Sequence, residues 1–185
     1  MSSTYQEVLK AIEERADDRR WPIIGPEKGA LLVELIREHK PRRVLELGAL
    51  VGYSSTLMAV NLPDGGEIVS IEIDHDNAET ARETQQRAGV ADRCRVVEGP
   101  ALKMIPTLDG PWDFVFIDAA KEQYLNYLQA VEPFLAANAV IVADNVKAFA
   151  RDIGPYVDYV RSSPEYQSSY HDFGNDGMEV SLRVG

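Results

Sequence analysis

The sequence has a single cysteine, Cys94, so no disulfide can form within the chain and a reducing compartment suffices for it. Its three histidines, His39, His75 and His171, are far apart and lack the paired spacing of a zinc site. No Gly-x-Ser-x-Gly elbow occurs, and Cys94 sits inside a strand segment, so a nucleophilic triad is not expected. Basic residues are scarce: 19 Lys and Arg stand against 30 Asp and Glu, a net charge of −11. That balance argues against broad binding of phosphate backbones, and so against nucleic acid as a partner. No apolar run reaches the length of a membrane span, and the N-terminal stretch reads as a charged helix rather than a signal peptide. These absences lead to the expectation of a cytoplasmic protein with no membrane partner.

What is present is organised around Val44-Leu-Glu-Leu-Gly-Ala-Leu-Val-Gly-Tyr-Ser-Ser55. Val44, Leu45 and Leu47 form the short apolar run of a parallel strand buried on both faces. Gly48 and Gly52 follow where the chain must turn and its backbone must come close to a ligand, and Ser54, Ser55 and Thr56 supply hydroxyls at a helix start. A strand, a glycine turn and a helix N-terminus together gather exposed N–H groups at the strand's carboxyl end. The spacing is Gly-x-x-x-Gly with Glu46 beside it, not the Gly-x-Gly-x-x-Gly of dinucleotide sites. A carboxylate there repels pyrophosphate but suits a ligand carrying an ammonium and hydroxyls, and S-adenosylmethionine carries both.

Ahead of this stretch, Ser3 with Gln6 suggests a capping box for a helix with Val8, Leu9 and Ile12 on one face. Trp21-Pro22-Ile23-Ile24 breaks that helix, and Pro26 opens a second one carrying Leu31, Leu32, Leu35 and Ile36. After it, strands are predicted at Glu67–Ile73, Cys94–Glu98, Asp113–Asp118, Ala139–Asp144 and Met178–Val184. Helices are predicted over 77–88, ahead of Leu108, over 121–135 and near 157–161, with a polar Ser- and Tyr-rich region before the last strand. The alternation argues a doubly wound α/β sheet with helices on both faces. A length of 185 residues without repeat or linker fits one domain.

In such sheets ligands gather at the carboxyl ends of the strands. Glu46, Glu72, Asp118 and Asp144 all fall at or near these ends. Glu72 or Asp74, about twenty residues beyond the glycine turn, is placed to hold ribose hydroxyls; spacing alone leaves the choice open. Asp118, Asp144 and Asn145 are three hard oxygen donors with two charges, a set that suits Mg²⁺ or another hard divalent cation. Lys121 follows Asp118 by three residues, and a lysine beside a bound cation loses proton affinity and can act as a base.

Leu45-Glu-Leu-Gly-Ala-Leu-Val-Gly-Tyr-Ser54, Ile71-Glu-Ile-Asp74, Phe116-Ile-Asp-Ala-Ala-Lys-Glu-Gln-Tyr124 and Ala143-Asp-Asn-Val146, in this order, resemble the cation-dependent O-methyltransferases, closest to the catechol O-methyltransferase branch. The likeness runs over nearly the whole chain. It implies a Rossmann-like class I methyltransferase fold, a mostly parallel seven-stranded sheet, with residues 1–40 as helices covering the site and 41–185 as the core. It implies S-adenosylmethionine as methyl donor, Mg²⁺ on Asp118, Asp144 and Asn145, and Lys121 as the base. Ile24, Glu46, Gly48, Tyr53, Ser54 and Glu72, with Asp118, would surround the donor; Trp21, Lys121 and Asn145 would meet a small phenolic substrate with adjacent hydroxyls. Two departures stand out. Where the catechol enzyme has His-Trp this chain has Ala119 and Ala120, a wider pocket, and counting back from Asp176 puts Tyr170 where that enzyme has a substrate-binding glutamate. The family also includes methyltransferases of a hydroxylated uridine in transfer RNA, against which the acidic charge speaks. A non-catalytic cofactor-binding module is a further alternative, against which the joint presence of Asp118, Lys121, Asp144 and Asn145 speaks. Monomer and homodimer are both compatible with the sequence.

Overall fold

The computed structural model describes residues 4–17 and 21–184. Seven strands form one sheet: β1 (Arg43–Leu47), β2 (Glu67–Glu72), β3 (Cys94–Glu98), β4 (Trp112–Ile117), β5 (Leu135–Ala143), β6 (Tyr166–Asp172) and β7 (Gly177–Arg183). Their order is β3-β2-β1-β4-β5-β7-β6, parallel throughout except that β7 runs antiparallel to both β5 and β6. Because side chains alternate along a strand, each central strand feeds two cores. Leu45, Leu47, Val115, Ile117 and Ile141 pack on one face with Tyr124 and Leu128 of α6 (Tyr124–Val131) and Ile153 and Tyr156 of α7 (Ala150–Ser162). Val44, Ile68, Phe114, Phe116 and Val142 pack on the other with Leu32 and Ile36 of α2 (Gly25–His39) and Met58 of α3 (Tyr53–Ala59). Two further helices complete the layers, α4 (His75–Arg87) and the short α5 (Ala101–Met104).

The first helix, α1 (Tyr5–Asp17), lays Val8, Leu9 and Ile12 against Val51 and Tyr53 at the β1–α3 turn. Ser3, half of the expected capping box, lies outside the described residues. A reciprocal pair one residue on does that work: Thr4 N donates to Glu7 Oε2 at 2.8 Å, and Glu7 N to Thr4 Oγ1 at 3.4 Å.

Three elements differ from their sequence-based expectation. The polar region before the last strand is itself a strand, β6, on the sheet edge, where few residues need burial and Ser and Tyr are tolerated. The helix expected over 121–135 is helical only from Tyr124 to Val131; a 3₁₀ turn with Pro133 ends it, and Leu135 already belongs to β5. The helix expected near 157–161 runs from Ala150, carrying Pro155 inside it, because Ile153, Tyr156 and Val160 are buried at helical spacing. No helix among the described residues is long and apolar enough to cross a membrane.

The consequence for function lies at β1. Its neighbours β2 and β4 lie on opposite sides, so the chain leaves β1's carboxyl end at the point where the winding reverses, and a crevice opens there.

Candidate active site

A cleft of about 610 Å³ occupies that crevice. The glycine turn forms its floor. Gly48 has φ +96°, and a Cβ there would stand 2.3 Å from the carbonyl oxygen of Asp118. Neither the dihedral nor the neighbouring backbone can give way cheaply. Gly48→Ala is therefore expected to lower stability by at least about 2–3 kcal/mol; an unchanged midpoint in urea unfolding would show that the two loops part easily.

At one end of the cleft, Glu72 closes β2. Its Oε2 accepts from Leu50 N at 2.8 Å and its Oε1 from Asp74 N at 3.0 Å, so two backbone amides hold the carboxylate against the cleft that it lines. Asp74 is turned elsewhere: its Oδ1 accepts from Asn77 N at 2.9 Å as the N-cap of α4. Ile71, the exposed Ile73, Gly99, Pro100 and Ala101 make this end apolar.

In the middle, Gly48, Tyr53 and Ser54 line the cleft, with Ile24 opposite. Glu46 is fully buried behind Ser54, whose hydroxyl donates to its Oε1, and its Oε2 has no partner among the described residues. Burial pushes the Glu46 carboxyl up to about 7, the nearby charges of Asp118 and Glu72 adding to the effect.

The other end is polar and crowded with charge. Asp118 follows β4 and Asp144 follows β5, which sets both carboxylates at one mouth of the cleft with Asn145 and Lys121. Lys121 Nζ donates to Asp118 Oδ1 at 2.6 Å and to the Tyr124 hydroxyl at 3.0 Å. Lys28, from the first turn of α2, donates to Asp144 Oδ1 at 2.5 Å and to Asp176 Oδ2 at 2.6 Å. Asn145 sits at φ 64°, a left-handed conformation that asparagine tolerates, and its Nδ2 donates to Asp176 Oδ2 at 2.6 Å. Burial pushes Asp118 up to about 6, Lys121 pulling the other way, and it raises Asp144 as well. Burial would also raise Asp176, but the hydrogen bonds from Lys28 and Asn145 outweigh it and bring the carboxyl down to about 2. Phe149 stands on the rim, 44% exposed, its ring centroid 5.8 Å from Lys121 Nζ.

A glycine turn beside an acidic strand, a carboxylate on the neighbouring strand for hydroxyls, and an oxygen-rich mouth with a lysine match what a methyl-donor site requires. The family model described as O-methyltransferase matches residues 1–155. The chain belongs to this family.

The relatives agree over a wide span. The catechol O-methyltransferase B of Danio rerio is 34% identical over 194 residues, covering 97% of this chain and 73% of that protein. The catechol O-methyltransferase of Mycobacterium tuberculosis is 45% identical over 124 residues, 66% of this chain and 56% of that one. An O-methyltransferase of Streptomyces achromogenes involved in tomaymycin synthesis, solved with S-adenosylmethionine, superposes with a TM-score of 0.88 at 28% identity, over 97% of this chain and 90% of that chain. The chain is thus an O-methyltransferase of the S-adenosylmethionine-dependent class, with a Rossmann-like, mostly parallel seven-stranded sheet.

Within this O-methyltransferase the expected site residues distribute unevenly. Ile24, Gly48, Tyr53, Ser54, Glu72, Asp118, Lys121, Asp144 and Asn145 all line the cleft. Glu46 lies one layer behind it. Trp21 and Tyr170 do not line it. Trp21 packs beside the α1 cluster under the Arg15 guanidinium, 5.7 Å from the ring centroid, and its neighbours Pro22 and Ile23 face the cleft instead. Tyr170 lies on edge strand β6, its ring over Gly177 and its hydroxyl donating to Asp172 Oδ1 at 2.9 Å. The ungapped count that led to Tyr170 crosses a hairpin, where alternate residues point to opposite faces of the sheet. Three residues at the polar mouth escaped sequence reasoning in any site role: Lys28, Phe149 and Asp176. Of these only Asp176, next to a glycine at a strand start, carried a local signal.

The polar mouth also fits a hard divalent cation. Lys28 and Lys121 each occupy the Oδ1 of one carboxylate. Asp118 Oδ2, Asp144 Oδ2 and Asn145 Oδ1 accept no hydrogen bond among the described residues, which leaves two anionic oxygens and one amide oxygen available. No group of three His, Cys, Asp or Glu side chains suited to a metal occurs among the described residues, so any cation here relies on the asparagine.

Proposed function

We propose that this O-methyltransferase moves the methyl group of S-adenosylmethionine to one hydroxyl of a small catechol-type phenol, with Mg²⁺ or a similar cation held by Asp118, Asp144 and Asn145. The observation that carries this reading is the convergence of those three oxygen donors with Lys121 at one mouth of the cleft. Relatives named catechol O-methyltransferase and, from Eucalyptus globulus at 33% identity over 146 residues, caffeoyl-CoA O-methyltransferase 1 support it. A bound cation would lower the pKa of an adjacent diol hydroxyl, in the way metals lower that of water. The protein's own groups do the rest. Glu72 takes the ribose hydroxyls, and Gly48 and Ser54 flank the methionine end, with buried Glu46 backing Ser54 toward the donor's ammonium. Lys121 Nζ takes the phenolic proton. The phenolate oxygen then forms its bond to the methyl carbon as the carbon–sulfur bond breaks, the electron pair returning to sulfur to give a neutral thioether. Holding donor and acceptor in line supplies much of the acceleration, on the order of 7–11 kcal/mol for well-oriented partners.

Ala119 and Ala120 leave the substrate side wide, and Phe149 with Pro22 and Ile23 provides its apolar wall. A cytoplasmic setting suits a chain whose one cysteine is free. The test is mass spectrometry of catechols, caffeoyl compounds and flavonoid diols incubated with S-adenosylmethionine, with Mg²⁺ or with chelator. Products one methyl heavier that require the metal are expected. Failure to methylate any diol, with donor binding demonstrated, would overturn the catechol-type reading.

A further inference from the structure

Asp176 stands immediately before β7, outside the cleft lining, and no step above uses it. Its Oδ2 accepts from Lys28 Nζ and from Asn145 Nδ2, both at 2.6 Å, and its Oδ1 from Ala148 N at 3.0 Å. A carboxylate that receives three N–H donors acts only as an acceptor, so the atom that Asn145 turns toward it must be the amide nitrogen. The amide oxygen therefore points away from Asp176. Lys28 extends the same network, since its ammonium also meets Asp144 Oδ1, the oxygen that already accepts from Asn145 N at 2.7 Å.

We infer that Asp176 is a positioning residue of the oxygen-donor mouth: it holds the Asn145 amide with its oxygen toward the cleft, while Lys28, shared with Asp144, commits Asp144 Oδ1 and leaves Oδ2 for a cation. The inference rests on the divalent site proposed above. Without Asp176 no hydrogen bond among the described residues distinguishes the two ends of the Asn145 amide, and a flipped amide presents N–H groups to a cation and removes one of three oxygens. Asparagine suits position 145 because one side chain must donate outward to Asp176 and offer an oxygen inward, at a backbone conformation few other residues tolerate.

The test is titration of the free protein with Mn²⁺, read by the electron paramagnetic resonance of the unbound ion, with S-adenosylmethionine affinity and thermal melting measured alongside. Asp176→Asn is expected to weaken Mn²⁺ binding by about 10–100-fold, the usual cost of losing a group that orients a ligand. The double variant Asn145→Asp with Asp176→Asn keeps one N–H···O bond between the two positions with donor and acceptor exchanged, and turns an oxygen inward whichever way the side chain rotates. It is expected to recover Mn²⁺ affinity to within a few-fold of the unaltered protein. The single variant Asn145→Asp separates orientation from charge: if it raises Mn²⁺ affinity over the unaltered protein by as much as the double variant gains over Asp176→Asn, the rescue comes from the added carboxylate alone and the inference is overturned. Unchanged affinity in Asp176→Asn, or equal loss in it and in the double variant, overturns the inference. If Asp176→Asn does not fold, a double variant that binds Mn²⁺ within a few-fold of the unaltered protein supports the inference, and a loss of about 10-fold or more overturns it. An unaltered protein that binds donor but no Mn²⁺ overturns the divalent-site reading and the inference with it.

Discussion

Lys121→Met is expected to lower turnover near neutral pH by about 10²–10⁴-fold, the range a positioned general base contributes, while leaving S-adenosylmethionine binding intact. The expectation follows from where the ammonium lies. Lys121 opens the 3₁₀ turn after β4, and its Nζ is fixed by Asp118 Oδ1 at 2.6 Å and by the Tyr124 hydroxyl at 3.0 Å, between the Tyr124 and Phe149 rings. Methionine keeps the length and apolar stem of the side chain, so the packing against those rings persists and only the titratable nitrogen is lost. The proposed donor contacts lie mainly on β1, the glycine turn and β2, with Asp118 the one beside Lys121, so isothermal titration with S-adenosylmethionine serves as the control. Equal turnover in the variant and the unaltered protein would remove Lys121 from the chemistry. A parallel loss of donor binding would assign it a structural role instead.

Asp144→Asn is expected to abolish stimulation by Mg²⁺ and to weaken divalent binding by about 100-fold or more, since even groups that only orient a ligand cost 10–100-fold. Asp144 is 2% exposed and follows the buried run of residues 139–143 that ends β5, so the isosteric amide disturbs packing less than alanine would. The substitution removes one of two anionic oxygens at the mouth and one of the two carboxylates that neutralise Lys28. Asp176 remains as the partner of Lys28, which keeps that ammonium from being stranded; a buried charge left without any partner costs about 3–5 kcal/mol. Activity assayed against Mg²⁺ concentration and against chelator, with melting temperature as a folding control, reads the outcome. A folded variant still stimulated by Mg²⁺ would refute the assignment of Asp144 as a ligand.

Much of the site was legible before the fold. The apolar run ending in Gly48 specified a buried strand and a turn, and the structure supplies the reason the glycine is needed: the Asp118 carbonyl lies where a Cβ would be. Asp118 and Asp144 were read as strand-end carboxylates, and both lie at the cleft mouth because parallel strands carried forward by helices bring all their carboxyl ends to one edge. Spacing left Glu72 and Asp74 as equals. The structure separates them, because Asp74 is committed to the N-terminus of α4 and Glu72 is held by two backbone amides at the cleft. Edge strand β6 was read as an irregular polar segment, since a strand covered on little of its surface has no apolar alternation to announce it.

The sequence by itself determined the parts that depend on short windows: the α/β alternation, the glycine turn, the strand-end carboxylates and the Asp118–Lys121 and Asp144–Asn145 neighbours. Periodicity and turn chemistry act over a few residues, so they are written locally. The tertiary structure alone decided which distant side chains share a charge network. Lys28 meets Asp144 and Asp176 across separations of 116 and 148 residues, Trp21 packs behind the cleft while Pro22 and Ile23 face it, and Tyr170 closes over Gly177. Such pairings arise when helix packing and strand order bring charged groups into a dry interior, where each must find a partner or lose its charge.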